Sequence, residues 1–340
     1  MIFPDFLKPG DTIGVTAPSG GVTKEPDKKR FMAAKQRLTS MGYQVIFTQD
    51  VFKSDEKGRS DDAKVRAKEF MELITNPKVK YICSAKGGDF LMEVLPYLDF
   101  KVIKNNPKWI QGFSDNTLLT FNICTNCHMA TAYCNNFGDY GMEVWDKSVK
   151  ENFDIITGKL NTQRNFEFYE NKFYDRVTGL EGYHKDLPVS LKLYNGDENQ
   201  TTFSGRIIGG CLDSIMDMAG TKYENVLEFI ESYKEDGIIW YFESFLNNSE
   251  GVVRNMWKLQ ELGWFKYLKG VVFGRELFYE NYTQTSFDEA AMVILDKYKV
   301  PVIFGADIGH KPPQMCMING AKYTINYSNG KLNIFFEKKA

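Results

Sequence analysis

Short apolar runs alternate with amphipathic stretches through the first third of the chain. Residues 12–17 form a β-branched run ending in Pro18-Ser19-Gly20-Gly21, so a strand and then a loop are predicted. Phe31, Ala34 and Leu38 fall at helical spacing within a predicted helix over about 26–41. Gln44–Thr48 is the next strand. Ser60-Asp61-Asp62 supplies a cap and an acidic first turn for a helix through Ile74. Val79–Cys83 is a third strand, leading into Ser84-Ala85-Lys86-Gly87-Gly88-Asp89, after which a helix is expected to about Leu98. Trp109-Ile110 then opens a buried strand, followed by a helix from Asp115-Asn116 and a short strand within 129–134. Strands alternating with helices at this spacing predict a parallel, helix-covered sheet with its functional loops at the carboxyl ends of the strands.

The stretch 140–200 breaks the pattern. Its many Phe and Tyr residues are interleaved with Asn, Glu, Lys and Asp without a steady period, which predicts a boundary and long loops. Beyond it the alternation resumes. Gly205–Cys211 is a strand entering a helix, and 237–242 is a strongly apolar strand that meets Glu243-Ser244. A helix from Asn248-Ser249-Glu250, a strand 271–273 ending in Gly274-Arg275-Glu276, and a helix over 287–298 follow. A strand over 300–304 precedes Gly305-Ala306-Asp307-Ile308-Gly309-His310. The chain closes on a predicted hairpin, 323–327 with 332–336 around Ser328-Asn329-Gly330. The resulting expectation is an α/β protein in which a parallel, helix-covered sheet (1–165) and a second α/β stretch (201–340) flank a loop region (166–200).

Composition narrows the function classes. At 340 residues the chain is long enough for two cores, and a net charge of −2 gives no electrostatic case for nucleic acid or an anionic membrane. No apolar run approaches a spanning length, and Met1–Asp5 lacks the features of a signal peptide, so the cytoplasm is the expected location. The six cysteines are scattered, as expected of small buried hydrophobes in a reducing compartment. Cys124, Cys127 and His128 resemble half of a metal site, but no second Cys/His pair completes it, so no metal is expected.

Three polar groups stand where apolar strands end. Ser114, in Gly112-Phe113-Ser114-Asp115-Asn116, sits between strand and helix. There a hydroxyl is held above the sheet edge beside the first helical N–H groups. The same residues also suit a plain helix cap. Glu243 follows six uncharged residues, where an unpaired carboxylate is costly, unless it turns to solvent. His310 lies in a glycine-flanked loop and can be a base or a histidine held by the backbone. Together they can form a triad in which histidine takes the serine proton and the carboxylate fixes the imidazole. Lys86-Gly87-Gly88 and Arg206–Gly210 lack phosphate-loop spacing, and the first reads better as a backbone turn whose N–H faces Ser114.

These pieces in this order resemble peptidase family S66, the LD-carboxypeptidases and the microcin C immunity-type peptidases. The resemblance is carried by Leu7–Ser19, Ala85-Lys86-Gly87-Gly88-Asp89, Gly112–Asp115, Gly205–Gly210, Glu243, Gly274-Arg275 and Asp307–Pro313. It implies an N-terminal Rossmann-like domain carrying Ser114 and a C-terminal α/β domain carrying Glu243 and His310, with a Ser114–Glu243–His310 triad between them and an oxyanion hole made by the backbone N–H groups of Gly88 and Asp115. It also implies a homodimer with no cofactor. The substrate would be a small peptide or an aminoacyl-nucleotide: the family cleaves an amide near a terminal carboxylate, in murein tetrapeptides or in microcin C-like conjugates. Lys86, Arg275 and Tyr183 are the candidate substrate contacts. Lys86 replaces a usual arginine, Asp89 a common tyrosine, and no tryptophan occurs between Trp145 and Trp240 to stack on a nucleobase. Two rival readings are a non-catalytic small-ligand binder on the same fold and a cysteine amidase using Cys83 or Cys211.

Overall fold

The fold was obtained as a computed structural model, which describes residues 1–281 and 283–338. Its first sheet contains β1 (Thr12–Thr16), β2 (Gln44–Phe47), β3 (Val79–Ser84), β4 (Trp109–Gln111) and β5 (Thr131–Tyr133), parallel and in the order β2-β1-β3-β4-β5. The crossovers carry α1 (Glu25–Ser40), α2 (Ala63–Thr75), α3 (Phe100–Asn105) and α4 (Thr117–Cys127). Helix α1 buries Phe31, Ala34 and Leu38, the residues picked out by the periodicity, and every residue of β1 is buried. The helix expected to reach Leu98 is instead two 3₁₀ turns, Leu91–Glu93 and Leu95–Tyr97. Pro96 lacks the N–H and crowds the preceding turn, so a regular helix starts only at Phe100.

The middle is more ordered than its aromatic scatter suggested. It holds α5 (Lys147–Ile156), capped by the Asp146 side chain, then β6 (Thr162–Arg164). A two-residue ribbon of β7 (Phe168–Tyr169) with β8 (Leu187–Pro188) precedes β9 (Lys192–Tyr194). Val149, Phe153 and Ile156 do repeat at helical spacing, but three apolar residues among so many aromatics gave too weak a period to stand out. Long irregular chain remains between β7 and β8.

The second sheet is built on parallel β10 (Thr201–Cys211), β11 (Ile238–Glu243), β12 (Leu268–Gly274) and β13 (Val302–Ala306). Helices α6 (Leu212–Met218), α7 (Val226–Ser232), α8 (Ser249–Glu261) and α9 (Phe287–Leu295) join these strands. The closing chain forms β14 (Met317–Asn319), β15 (Lys322–Ser328) and β16 (Lys331–Phe336), the last two being the expected hairpin. Antiparallel β9 lies on β13, while β15, β16 and β6 extend the other edge.

Two strands cross between the halves. β6 joins the second sheet, and β14 pairs antiparallel with β5 at the edge of the first. Asn319, at the end of β14, accepts the Gly209 N–H and the Tyr241 hydroxyl, each at 3.0 Å. One apolar cluster accordingly runs from Val15 and Tyr81 through Tyr133 to Tyr241 and Ile303. It locks the sheets so that the loops following β3, β4, β11 and β13 face one another.

Candidate active site

Ser114 follows β4 at φ +66°, a left-handed conformation that costs a non-glycine residue on the order of 1–2 kcal/mol. The turn is pinned from several directions. Thr117 Oγ donates to the Ser114 carbonyl at 2.6 Å and accepts the Cys211 N–H at 3.0 Å, tying the elbow to the end of β10. Asn116 donates to the carbonyls of Phe113 and Lys86, both at 3.0 Å, which fixes the turn after β3 against the turn after β4. A Cβ on Gly87 would lie 2.9 Å from the Ser114 hydroxyl, so glycine is what allows this approach.

The three strand-end groups converge. His310 Nε2 is 2.9 Å from Ser114 Oγ, and its Nδ1 is 2.8 Å from Glu243 Oε2. Glu243 ends β11 fully buried. Gly309, at φ +98°, makes room for it, since a Cβ there would stand 2.5 Å from Oε2. Burial alone would push Glu243 upward, but the His310 imidazole and hydrogen bonds from His310 and Tyr133 hold it below the ordinary glutamate value. Tyr133, which the sequence did not single out, donates to Glu243 Oε1 at 2.6 Å. The available signal was its place at the carboxyl end of the strand beside Ser114. Phe113 and Phe245 flank the imidazole, with ring centroids 5.1 and 4.6 Å away.

Behind the turn after β3, the Asp115 carboxylate accepts the Ser19 hydroxyl and, at 3.0 Å, the Leu91 N–H. Burial lifts this acid to about 7, against those hydrogen bonds. Gly20 N–H donates to the Gly87 carbonyl at 3.1 Å, and a Cβ on Gly88 would sit 2.4 Å from Ser19 Oγ. The loop after β1 therefore braces the Gly87–Gly88 turn. Among the described residues, the Gly88 N–H donates to no other group.

Lys86, Gly87, Gly88, Ser114 and His310 line one cleft of about 790 Å³, and Phe173, Tyr174 and Arg176 from the middle loop form one of its walls. The other two expected contacts stand elsewhere. Arg275 is buried, pairs with Asp307 at 2.6 Å and donates to the Lys311 and Pro313 carbonyls, so its guanidinium holds the His310 loop and does not line the cleft. Tyr183 packs on the apolar cluster that runs between the two sheets. His128 bonds Tyr233 and Glu228 far from Ser114. The cysteine alternative meets an electrostatic obstacle. Burial pushes Cys83 up to about 12, and burial with the adjacent Glu243 carboxylate holds Cys211 well above the usual range, leaving both as protonated, poor nucleophiles.

Fold and site together define a serine peptidase of two interlocked α/β halves. Residues 13–134 match the LD-carboxypeptidase N-terminal domain of peptidase family S66 and residues 204–325 its C-terminal domain. The chain belongs to that family, and it is a hydrolase of the LD-carboxypeptidase/MccF-like kind. The microcin C7 self-immunity protein MccF of Escherichia coli is 28% identical over 96% of this chain and 94% of its own. A Vibrio cholerae protein carrying a carboxypeptidase name is 28% identical over 97% and 96%. Among solved structures, MccF in complex with aspartyl sulfamoyl adenosine superposes with a TM-score of 0.83 at 24% identity, covering 100% of both chains. An MccF-like protein from Streptococcus pneumoniae in complex with AMP gives 0.76 at 21% identity, covering 97% of this chain and 99% of its own.

Proposed function

We propose that this chain hydrolyses an amide near a terminal carboxylate through an acyl-enzyme on Ser114. His310 removes the hydroxyl proton through Nε2 and returns it to the leaving amine. Glu243 keeps the Nδ1 proton in place and stabilises the imidazolium as it forms. The Gly88 and Asp115 amides receive the oxyanion. Water then attacks the ester, with His310 again as base. The observation that carries this reading is the continuous relay from Ser114 Oγ to His310 to Glu243 at 2.9 and 2.8 Å.

The first substrate reading is a small peptide, the murein tetrapeptide with its terminal D-alanine. The second is an aminoacyl-nucleotide conjugate of the microcin C kind. It is supported by Phe173, Tyr174 and Phe245 on the cleft, which offer π-faces to a base, and by solved MccF complexes with aminoacyl sulfamoyl nucleosides. Lys86, exposed on the same cleft, is a cation available to a substrate carboxylate. The expected setting is a cytoplasmic homodimer. No helix of the described residues is long and apolar enough to cross a membrane.

Turnover of a murein tetrapeptide and of an aspartyl-adenylate analogue, measured side by side, separates the two substrates. Ser114→Ala should lower kcat on whichever is cleaved by about 10³-fold or more while ligand binding persists. Unchanged turnover in that variant would exclude Ser114 as the nucleophile.

A further inference from the structure

Tyr133 ends β5, next to the strand that delivers Ser114, and its side chain crosses from the first sheet to the second. The hydroxyl donates to Glu243 Oε1 at 2.6 Å and accepts the Ser114 N–H at 3.2 Å. A phenol carries one donor and can also accept, and here each capacity meets a different half of the relay. Glu243 Oε2 is already engaged by His310, so the carboxylate is held at both oxygens. The tyrosine is fixed in turn, fully buried between Phe113 and Tyr241, with ring centroids 6.4 and 5.7 Å away. A hydroxyl is costly to bury in such surroundings unless it is paired, and here both pairings go to candidate catalytic residues.

We propose that Tyr133 is a positioning residue of the triad: one hydroxyl sets the backbone of the nucleophile and the orientation of its acid across the junction of the two sheets. Through its acceptor side it gives the left-handed Ser114 turn a fixed partner for its N–H. Through its donor side it keeps Oε2 turned toward the imidazole and favours the ionised carboxylate. Burial, and next to it the Glu243 carboxylate, hold the phenol well above the ordinary tyrosine range, so it remains a donor at every pH at which the enzyme is assayed. This inference rests on the triad reading above.

Tyr133→Phe keeps the ring and removes only the hydroxyl. The expected result is a fall in kcat of roughly 10- to 100-fold with KM little changed. The acid limb of kcat/KM should also move to higher pH, because the Glu243–His310 pair takes up protons more readily with one donor gone. Wild-type kcat overturns the role, as does a lower kcat with the acid limb in its original place, which would mark a packing residue only. Should the phenylalanine variant not fold, Tyr133→3-fluorotyrosine retains the shape and strengthens the donor. The acid limb then moves to lower pH if the role is real and stays put if it is not. Ser114→Ala tells the two failures apart. Activity surviving in that variant sinks the triad, whereas an inactive Ser114→Ala beside an unaffected Tyr133→Phe sinks only the part given to the tyrosine.

Discussion

Glu243 shows how a single carboxylate can be buried and still ionised. Its neighbours offer two donors, His310 Nδ1 and the Tyr133 hydroxyl, at 2.8 and 2.6 Å. The folded-state value is depressed, so the stabilisation is fully present above the ordinary glutamate value and is lost as pH falls through the folded one. Glu243→Gln should therefore flatten the acid side of the stability–pH curve, followed by chemical denaturation at stepped pH. It should also lower kcat by about 10³–10⁴-fold, since the amide cannot hold the same imidazole tautomer. Asp115 behaves in the opposite sense. Its folded value of about 7 exceeds the unfolded one, so its burial becomes progressively unfavourable as pH rises from acid toward neutrality.

Among the elements, the turn after β3 depends most on close contact. Asn116 holds the Lys86 carbonyl from one side, the Gly20 N–H holds the Gly87 carbonyl from the other, and Ser19 leaves no room for a side chain on Gly88. Gly88→Ala would drive a Cβ to 2.4 Å from the Ser19 hydroxyl and 3.0 Å from the Gly20 nitrogen, displacing the amide proposed to receive the oxyanion. The expected outcome is a drop of about 10²–10³-fold in kcat, read by steady-state kinetics. A melting temperature close to that of the unmodified protein would show that the loss is local. The middle loop is the counterpart on the far wall. Arg30 of α1 donates to the Gly179 and Glu181 carbonyls at 2.9 and 2.8 Å, and Asp27 of the same helix pairs with Arg176 at 3.0 Å, so α1 anchors this loop.

For the whole molecule, the decisive feature is the junction of the two sheets. β14 leaves the second half to pair with β5, and the loop that precedes it carries His310. That loop is clamped by Arg275, whose guanidinium reaches Asp307 and the carbonyls of Gly305, Lys311 and Pro313, and lies over the Tyr169 ring. Arg275→Leu would leave the buried Asp307 carboxylate without its cation. Urea denaturation should show a loss of about 3–5 kcal/mol. A raised KM without any loss of stability would return Arg275 to the substrate.

Much of this is legible in the sequence. Apolar strands that lead within a few residues to Ser114, Glu243 and His310 mark a carboxyl edge, because chemistry-bearing groups survive there only if the fold gives them partners. The alternation of period-2 and period-3.6 segments likewise determined an α/β chain with parallel sheets, since both signals are local and need only a few consecutive residues. What local pattern could not decide was who meets whom. That Tyr133 reaches Glu243, that Arg275 serves the His310 loop, and that β6 and β14 change sheets are all contacts between residues distant in sequence. Such pairings depend on how two sheets pack, and packing is chosen by the whole buried surface at once, so only the tertiary structure could fix them.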